Sequence, residues 1–518
     1  MQRHAIETKR ISRRDKVGPR RLWNQRRNDG QDMLQNEAVL ELWAINNKQL
    51  KDTCSCGPVQ WGQASRPERY WTREVSGTTW VTIGRDGPNG PRAAADTARQ
   101  GRNHPFMCGF LVYKETGDNS RISRRGPDCT NVYSQDGLTF VHNLLSLTGD
   151  FTPQPFIDGG IVCLFNGQIY NQPFSRTDGE VLIPLYRRHG PSFAQQLDGE
   201  FAIALYDFER GLVVFATDPF KTKPLFVNGI ECASYRSGVG GEKASPNEIR
   251  ISNLDGKILD RLPVRRWDLT QKKDTCDDWI EAFEWAVAKR AKEGCFIGLS
   301  SGYDSGGIAC ALLNRGVAFK AYSFPGGEAS GVLAARHRLV AHEDFVPDQS
   351  LAAWLEEHVD NEPYTIVCDG APTSMRVLDD GAAIGLATIC RAAGSEGRRI
   401  MLSGQGADEI LSDYSPWPGQ SELKGTFPRD LRLWRNFNYS CQESYLTKEE
   451  YIAGAFGIET RYPYLDAGVV QEFLWLSADA KNRHYKAPLR EYLSRNNFPF
   501  EAGVKRGFMV ERGAPVRT

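Results

Sequence analysis

The chain has 518 residues, a quarter of them charged, with 64 Lys and Arg balanced by 64 Asp and Glu. That length suggests roughly two to four domains, and a net charge of zero provides no chain-wide field to draw in nucleic acid or a membrane surface. No apolar run approaches the roughly 18 residues of a membrane-spanning helix, and no apolar segment follows the basic N-terminus as a secretory signal would require. Twelve cysteines, of which only Cys54 and Cys56 are closely spaced, fit a reducing, cytoplasmic setting better than a disulfide framework or a zinc site.

Residues 1–106 carry 19 Lys and Arg against 11 Asp and Glu, and ten of the basic residues precede Asn28. Such a segment is either a basic arm for a partner or a solvated, partly disordered extension. The second reading is favoured, and nucleic acid is not an expected partner. Within the segment, Met33–Leu50 has a weak helical pattern and Trp61–Ile83 is aromatic-rich and suits strands. Residues 85–106 are rich in Gly, Pro, Arg and Ala, as linkers are.

Residues 107–268 read as an α+β domain. Short apolar runs predict strands over Cys108–Tyr113, Leu138–His142, Gly160–Phe165, Phe201–Asp207 and Leu212–Ala216. Val181, Leu182 and Leu185 recur at helical spacing within Glu180–His189. Residues 269–518 read as α/β. A helix over Asp277–Lys292 aligns Ile280, Phe283 and Val287, and a strand at Phe296–Leu299, a helix at Gly306–Leu313 and a strand at Ala318–Phe324 follow. That rhythm predicts a parallel sheet covered on both faces, with right-handed crossovers.

The turn after the first of those strands reads Leu299-Ser-Ser-Gly-Tyr-Asp-Ser-Gly-Gly-Ile-Ala-Cys310. A hydroxyl- and glycine-rich turn entering a helix presents N–H groups and hydroxyls to an anion. The lysine P-loop is absent. A second acid-and-glycine turn, Leu402-Ser-Gly-Gln-Gly-Ala-Asp-Glu409, directly follows the apolar Ile400–Leu402. Two such turns can face one nucleotide across a doubly wound sheet, where Asp304 or Asp408 would hold Mg²⁺ against the phosphates. Singly, each has a plainer reading: a ligand-free βα turn, or an acid complementing a helix dipole. Only their combination is specific.

Further motifs are Gly457-Ile-Glu-Thr-Arg-Tyr-Pro-Tyr-Leu-Asp466 and Lys486-Ala-Pro-Leu-Arg490 in the second half. The first half has Met107-Cys-Gly-Phe110, Arg125-Gly-Pro-Asp128, Asn166-Gly-Gln-Ile-Tyr-Asn171, Asp178-Gly-Glu-Val181, Leu197-Asp-Gly-Glu-Phe201 and Thr217-Asp-Pro-Phe-Lys-Thr-Lys-Pro-Leu225. In this order, over about residues 107–510, they resemble the asparagine synthetase family, which includes the β-lactam synthetases. The resemblance implies two active sites. Residues 107–268 would form a class II glutaminase, an N-terminal-nucleophile αββα sandwich. Residues 269–518 would form an ATP-pyrophosphatase-type synthetase with a Rossmann-like parallel sheet.

By the same resemblance, Cys108 would be the glutaminase nucleophile, with Asn166 and Gly167 as its oxyanion hole. Asn166, Gln168 and Asp178 would line the glutamine pocket, Asp178 taking the α-amino group. In the synthetase half, Ser300, Gly302, Asp304, Ser305, Gly404 and Asp408 would hold ATP and pyrophosphate. Asp304 and Asp408 would be the Mg²⁺ ligands, and Lys486 would stabilise charge at the reacting centre. The implied cofactors are ATP and Mg²⁺. The implied partners are small molecules: glutamine or ammonia, and aspartate or another carboxylate. A homodimer is compatible with this reading. The simplest activity is asparagine synthesis through β-aspartyl-AMP. One alternative is an amide ligase for another carboxylate, β-lactam-synthetase-like, with a weak or inactive glutaminase half. Another is a degenerate nucleotide-binding interaction protein.

Several positions depart from the family pattern. Class II glutaminases use the free α-amino group of the cysteine as base, yet Cys108 lies behind 107 residues. Met107 as the true start, a propeptide cut before Cys108, or an inactive half would each account for this; the first is favoured. Leu144 stands where the family places an arginine for the glutamine carboxylate, and leucine cannot replace that fork. Arg121, Arg124 or Arg125 is the candidate substitute. Gln168 replaces a glutamate, and Ser301 replaces a glycine, which requires a negative φ there.

Overall fold

The computed structural model describes residues 61–63, 69–75, 78–84, 108–325, 330–368, 371–412, 426–432, 434 and 442–504. The basic arm, Met33–Leu50 and residues 85–106 lie outside the described residues.

Two antiparallel sheets build the first half. Strands Gly109–Tyr113, Cys129–Gln135 and Leu138–Leu144 lie in one sheet, with Gly109–Tyr113 paired to Leu138–Leu144. Ile161–Ile169, Gly199–Asp207 and Leu212–Thr217 are consecutive neighbours in the other. Alternate side chains fill the space between them: Phe110, Val112 and Phe140 meet Val162, Leu164, Ala202, Ala204 and Phe215, all at most 2% exposed. Such period-two alternation of side-chain direction lets one fully buried strand serve two layers. The opposite face of Ile161–Ile169 (Ile161, Cys163, Phe165) packs on helix Leu182–His189 through Leu182, Ile183 and Tyr186.

The predicted strands are present, four of them longer than expected, and Glu180–His189 is divided. Its first turn is the 3-10 segment Asp178–Val181, which leads into helix Leu182–His189. Trp61–Gln63, Arg69–Val75 and Thr78–Gly84 are strands, as their aromatic content suggested. They continue the first sheet, since Val81, Thr82 and Ile83 pair with Val132, Asn131 and Thr130.

The second half contains a five-stranded, all-parallel sheet. Its spatial order is His342–Asp344, Phe319–Ser323, Cys295–Gly298, Ile400–Leu402, Glu459–Arg461. The chain winds outward from Cys295–Gly298 in one direction, then returns to wind outward in the other. The strand order therefore reverses between Cys295–Gly298 and Ile400–Leu402, which is where open α/β sheets place their ligand crevice. Helices cover both faces. On one, Asp277–Arg290 buries Trp279, Phe283 and Val287 beside helix Tyr303–Asn314. On the other, Leu351–His358, Ala383–Ser395 and Gln442–Ala455 pack on Phe296, Tyr322 and Met401. No described helix is long and apolar enough to cross a membrane.

The halves meet over a buried polar seam. Helix Gln442–Ala455 brings Glu450 against Arg125 (2.8 Å), Lys223 (2.8 Å) and the Tyr462 hydroxyl (3.0 Å). Arg290 bridges Glu200 of the first half (2.6 Å) and Asp466 of the second (2.7 Å). Each of these charged groups is no more than 6% exposed. Buried charges persist only when paired in this way.

Candidate active site

The two acidic turns converge. Strand Cys295–Gly298 ends in Leu299–Gly302, and Gly302 caps helix Tyr303–Asn314 in extended conformation. This helix starts three residues before the predicted Gly306, so Asp304 and Ser305 lie in its first turn. Within the turn, the Ser300 N–H donates to Ser305 Oγ (3.1 Å), and the Gly302 N–H donates to Ser300 Oγ (3.1 Å). Ser301 is not among the residues with positive φ, so serine is accommodated there.

The neighbouring strand, Ile400–Leu402, ends in Ser403–Gly406 and helix Ala407–Leu411. A Cβ on Gly404 would lie 3.0 Å from the Asp304 Cβ, so the two turns pack backbone to side chain. Gly406 has φ +95°, a left-handed conformation suited to glycine.

Lys486 ties these turns together. Its Nζ lies 2.5 Å from Asp304 Oδ1 and 2.8 Å from Asp408 Oδ1. The lysine is buried, while each carboxylate keeps a quarter of its side chain exposed. Both carboxylates push the Lys486 pKa up against the opposing effect of burial. Lys486 itself has φ +48°, a strained conformation for lysine that aims its side chain inward from the start of helix Ala487–Arg495. The Tyr485 hydroxyl donates to Asp408 Oδ1 (2.9 Å), and the Tyr464 hydroxyl donates to the Asp304 carbonyl (2.8 Å). Next to Asp408, burial and that neighbouring charge push Glu409 up to about 8.

These groups suit a metal-bound triphosphate. Two carboxylates, each a quarter exposed and both reaching the Lys486 ammonium, are the hard oxygen donors Mg²⁺ takes, and the helix start beside them favours phosphate.

Arg336 was invisible to motif reading. It is fully buried, and its guanidinium donates to the carbonyls of Ser300 and Gly302 (2.8 Å to the latter) and to Pro499 (2.9 Å). It therefore holds the turn's carbonyls from behind. No local pattern around Ser330–His337 announces this, because its partners lie more than 30 residues away in each direction.

The second constellation surrounds Cys108. The Leu145 N–H donates to its sulfur (3.2 Å), and the Arg125 Nε donates to its carbonyl (2.9 Å). Burial pushes the thiol up to about 12, so it needs a base to become a nucleophile. Asn166 is buried on strand Ile161–Ile169, and its Nδ2 has no hydrogen-bond partner among the described residues. Gly167 has φ +141°, and a Cβ there would meet the Glu200 carbonyl oxygen at 1.8 Å. The Ile169 N–H donates to Asp178 (2.8 Å), yet burial still pushes this carboxyl up to about 6. Gln168 accepts from Thr148 Oγ1 (2.5 Å) and donates to the Gly167 carbonyl (2.9 Å).

Leu144 is buried and apolar. The candidate arginines are engaged elsewhere: Arg121 pairs with Asp360 (2.7 Å), Arg124 stacks over Trp354, and Arg125 is held by Glu450 and Tyr235.

An antiparallel two-sheet half joined to a parallel-sheet half is consistent with a two-domain arrangement, and the matching domain models give its class, a glutamine amidotransferase joined to a synthetase. The family model for a glutamine amidotransferase domain matches residues 113–255, and that for asparagine synthase matches residues 278–449. Asparagine synthetase [glutamine-hydrolyzing] 2 of Arabidopsis thaliana is 26% identical over 435 residues, covering 71% of this chain and 70% of the relative. Asparagine synthetase [glutamine-hydrolyzing] of Asparagus officinalis is 25% identical over 440 residues, covering 72% of this chain and 70% of the relative. The chain belongs to the asparagine synthetase family.

Proposed function

We propose that the protein is an ATP-dependent amide ligase that activates a carboxylate as an acyl-adenylate and transfers nitrogen to it, most simply forming asparagine from aspartate. The observation that carries this reading is the Lys486 ammonium shared by Asp304 and Asp408 at a sheet switch point. A binding module has no need of a strained, buried lysine aimed at two acids.

Ser300, Gly302 and Ser305 supply hydroxyl and N–H donors for the pyrophosphate leaving group. Mg²⁺, when held by Asp304 and Asp408, would neutralise phosphate charge. Lys486, positioned by its two acids, would meet the charge that develops as the carboxylate oxygen attacks the α-phosphorus. Phosphoryl chemistry asks the protein chiefly for such positioned charge. In the other half, the Cys108 thiol, once a base takes its proton, would attack the glutamine amide carbonyl, forming a thioester and releasing ammonia that carries that proton away, with Asn166 and the Gly167 N–H as oxyanion donors and Asp178 on the α-amino group. The unpartnered Asn166 Nδ2 supports that role. The sandwiched sheets and the helix on one outer face supply three of the four layers of an N-terminal-nucleophile αββα domain.

A second reading keeps the ligase and changes the acid or the nitrogen source. The buried Leu144 and the neutral Gln168 favour weaker glutamine use than is typical of the family.

Pyrophosphate release from Mg-ATP with aspartate, using ammonium and then glutamine, tests the proposal. Acid-dependent release supports it, and release with ammonium alone assigns the first half as inactive. No release with any carboxylic acid overturns it.

A further inference from the structure

Lys292 belongs to the synthetase half, just beyond helix Asp277–Arg290. Its Nζ nevertheless crosses to the glutaminase half, donating to the Leu147 carbonyl (2.7 Å) and to Thr148 Oγ1 (3.0 Å). Thr148 in turn donates to Gln168, the residue beside Gly167. The ammonium thus stands one hydroxyl away from the proposed glutamine pocket, and the charges of Arg461, Glu459 and Asp178 all act on it.

An ammonium has three donors. Two are spent on neutral acceptors, and no carboxylate lies within ion-pair distance among the described residues. Burial lowers the Lys292 pKa, as expected for a cation drawn from water without a counter-ion. An ammonium in that state gains most from an anion brought to its free donor. Leu144, conversely, is apolar where the resemblance places an arginine, Arg121, Arg124 and Arg125 are committed elsewhere, and Arg461 is paired with Glu459 (2.6 Å).

We propose that Lys292 forms the carboxylate-binding subsite for the amide donor, so that the synthetase half completes the pocket of the glutaminase half. This rests on the reading of the Cys108 site as a glutamine site. The donor class is an α-amino acid with a free α-carboxylate, its ammonium on Asp178 and its carboxylate on Lys292.

Calorimetric binding to the full chain tests this without requiring turnover. Glutamine and glutamine α-amide, which lacks the carboxylate, are titrated into the wild type, Lys292→Met and Lys292→Gln. The wild type is expected to prefer glutamine. Both variants should bind it about 10- to 100-fold more weakly, the loss expected for one charged hydrogen bond, while their affinity for the α-amide stays at the wild-type level. Lys292→Arg should restore the preference in part. A purely structural clamp would weaken both ligands equally, and that result, or an undiminished preference for glutamine in the variants, overturns the subsite. Thermal unfolding of each variant establishes that it is folded. If the wild type binds neither ligand, the glutamine reading itself fails and the subsite falls with it.

Discussion

The ammonium of Lys486 lies 2.5 Å from Asp304 Oδ1, although 182 residues separate the two in the chain. This contact joins the first turn of the parallel sheet to a motif near the C-terminus, and Asp408 completes it from the second turn. Lys486→Met removes the cation and leaves two acids facing each other. Pyrophosphate release should fall about 10²–10³-fold, the usual effect of losing one positioned donor at a charge-developing centre. Steady-state kinetics with Mg-ATP would check this, and binding of ATP alone should change far less.

Glu409 gives the proposed nucleotide site a pH signature in stability. Its carboxyl titrates near 8 when folded, against an ordinary value of 4.5. A raised carboxyl contributes stability that is full below about 4.5 and is lost as the pH rises toward 8. Glu409→Gln should flatten that part of the stability-versus-pH curve, as read by urea unfolding at a series of pH values.

Asp178 gives the other site a signature in binding. The α-amino group of an amide donor needs the charged carboxylate, and Asp178 protonates at about 6. Glutamine affinity should therefore weaken by about tenfold per pH unit below 6. Asp178→Asn should bind weakly at every pH, with that dependence gone.

Glu450 anchors the seam between the halves. Its carboxylate accepts from Arg125, Lys223 and Tyr462, all buried. Glu450→Ala would leave two buried cations short of their partner, and a loss of about 3–5 kcal/mol in unfolding free energy is expected. Because Arg125 also holds the Cys108 carbonyl, the same substitution should disturb the Cys108 site before the nucleotide site. Alkylation of Cys108 at several pH values, followed by peptide mass mapping, would show this.

Much of the fold was legible because local pattern and tertiary role coincide. A short apolar run announced Gly160–Phe165, most of which lies in strand Ile161–Ile169, and an apolar run before a serine- and glycine-rich turn announced Cys295–Gly298 and the crevice proposed for the nucleotide. The proposed nucleotide site was legible for a similar reason: Asp304, Asp408 and Lys486 sit in compact motifs. Arg336, Glu450 and Lys292 were not, since each works on a partner far along the chain and has no local signature. Strands Trp61–Gln63, Arg69–Val75 and Thr78–Gly84 were readable as strands. Their pairing to Cys129–Gln135 was not, because register across a sheet depends on the neighbouring strand.

The central claim is that a carboxylate oxygen attacks the α-phosphorus of ATP held between the two turns. Incubation with Mg-ATP, ammonium and aspartate carrying oxygen-18 in its carboxylates, followed by mass spectrometry of the AMP, tests it most directly. The account predicts one labelled oxygen transferred into AMP; AMP free of label, formed at a rate indifferent to the acid, would contradict it.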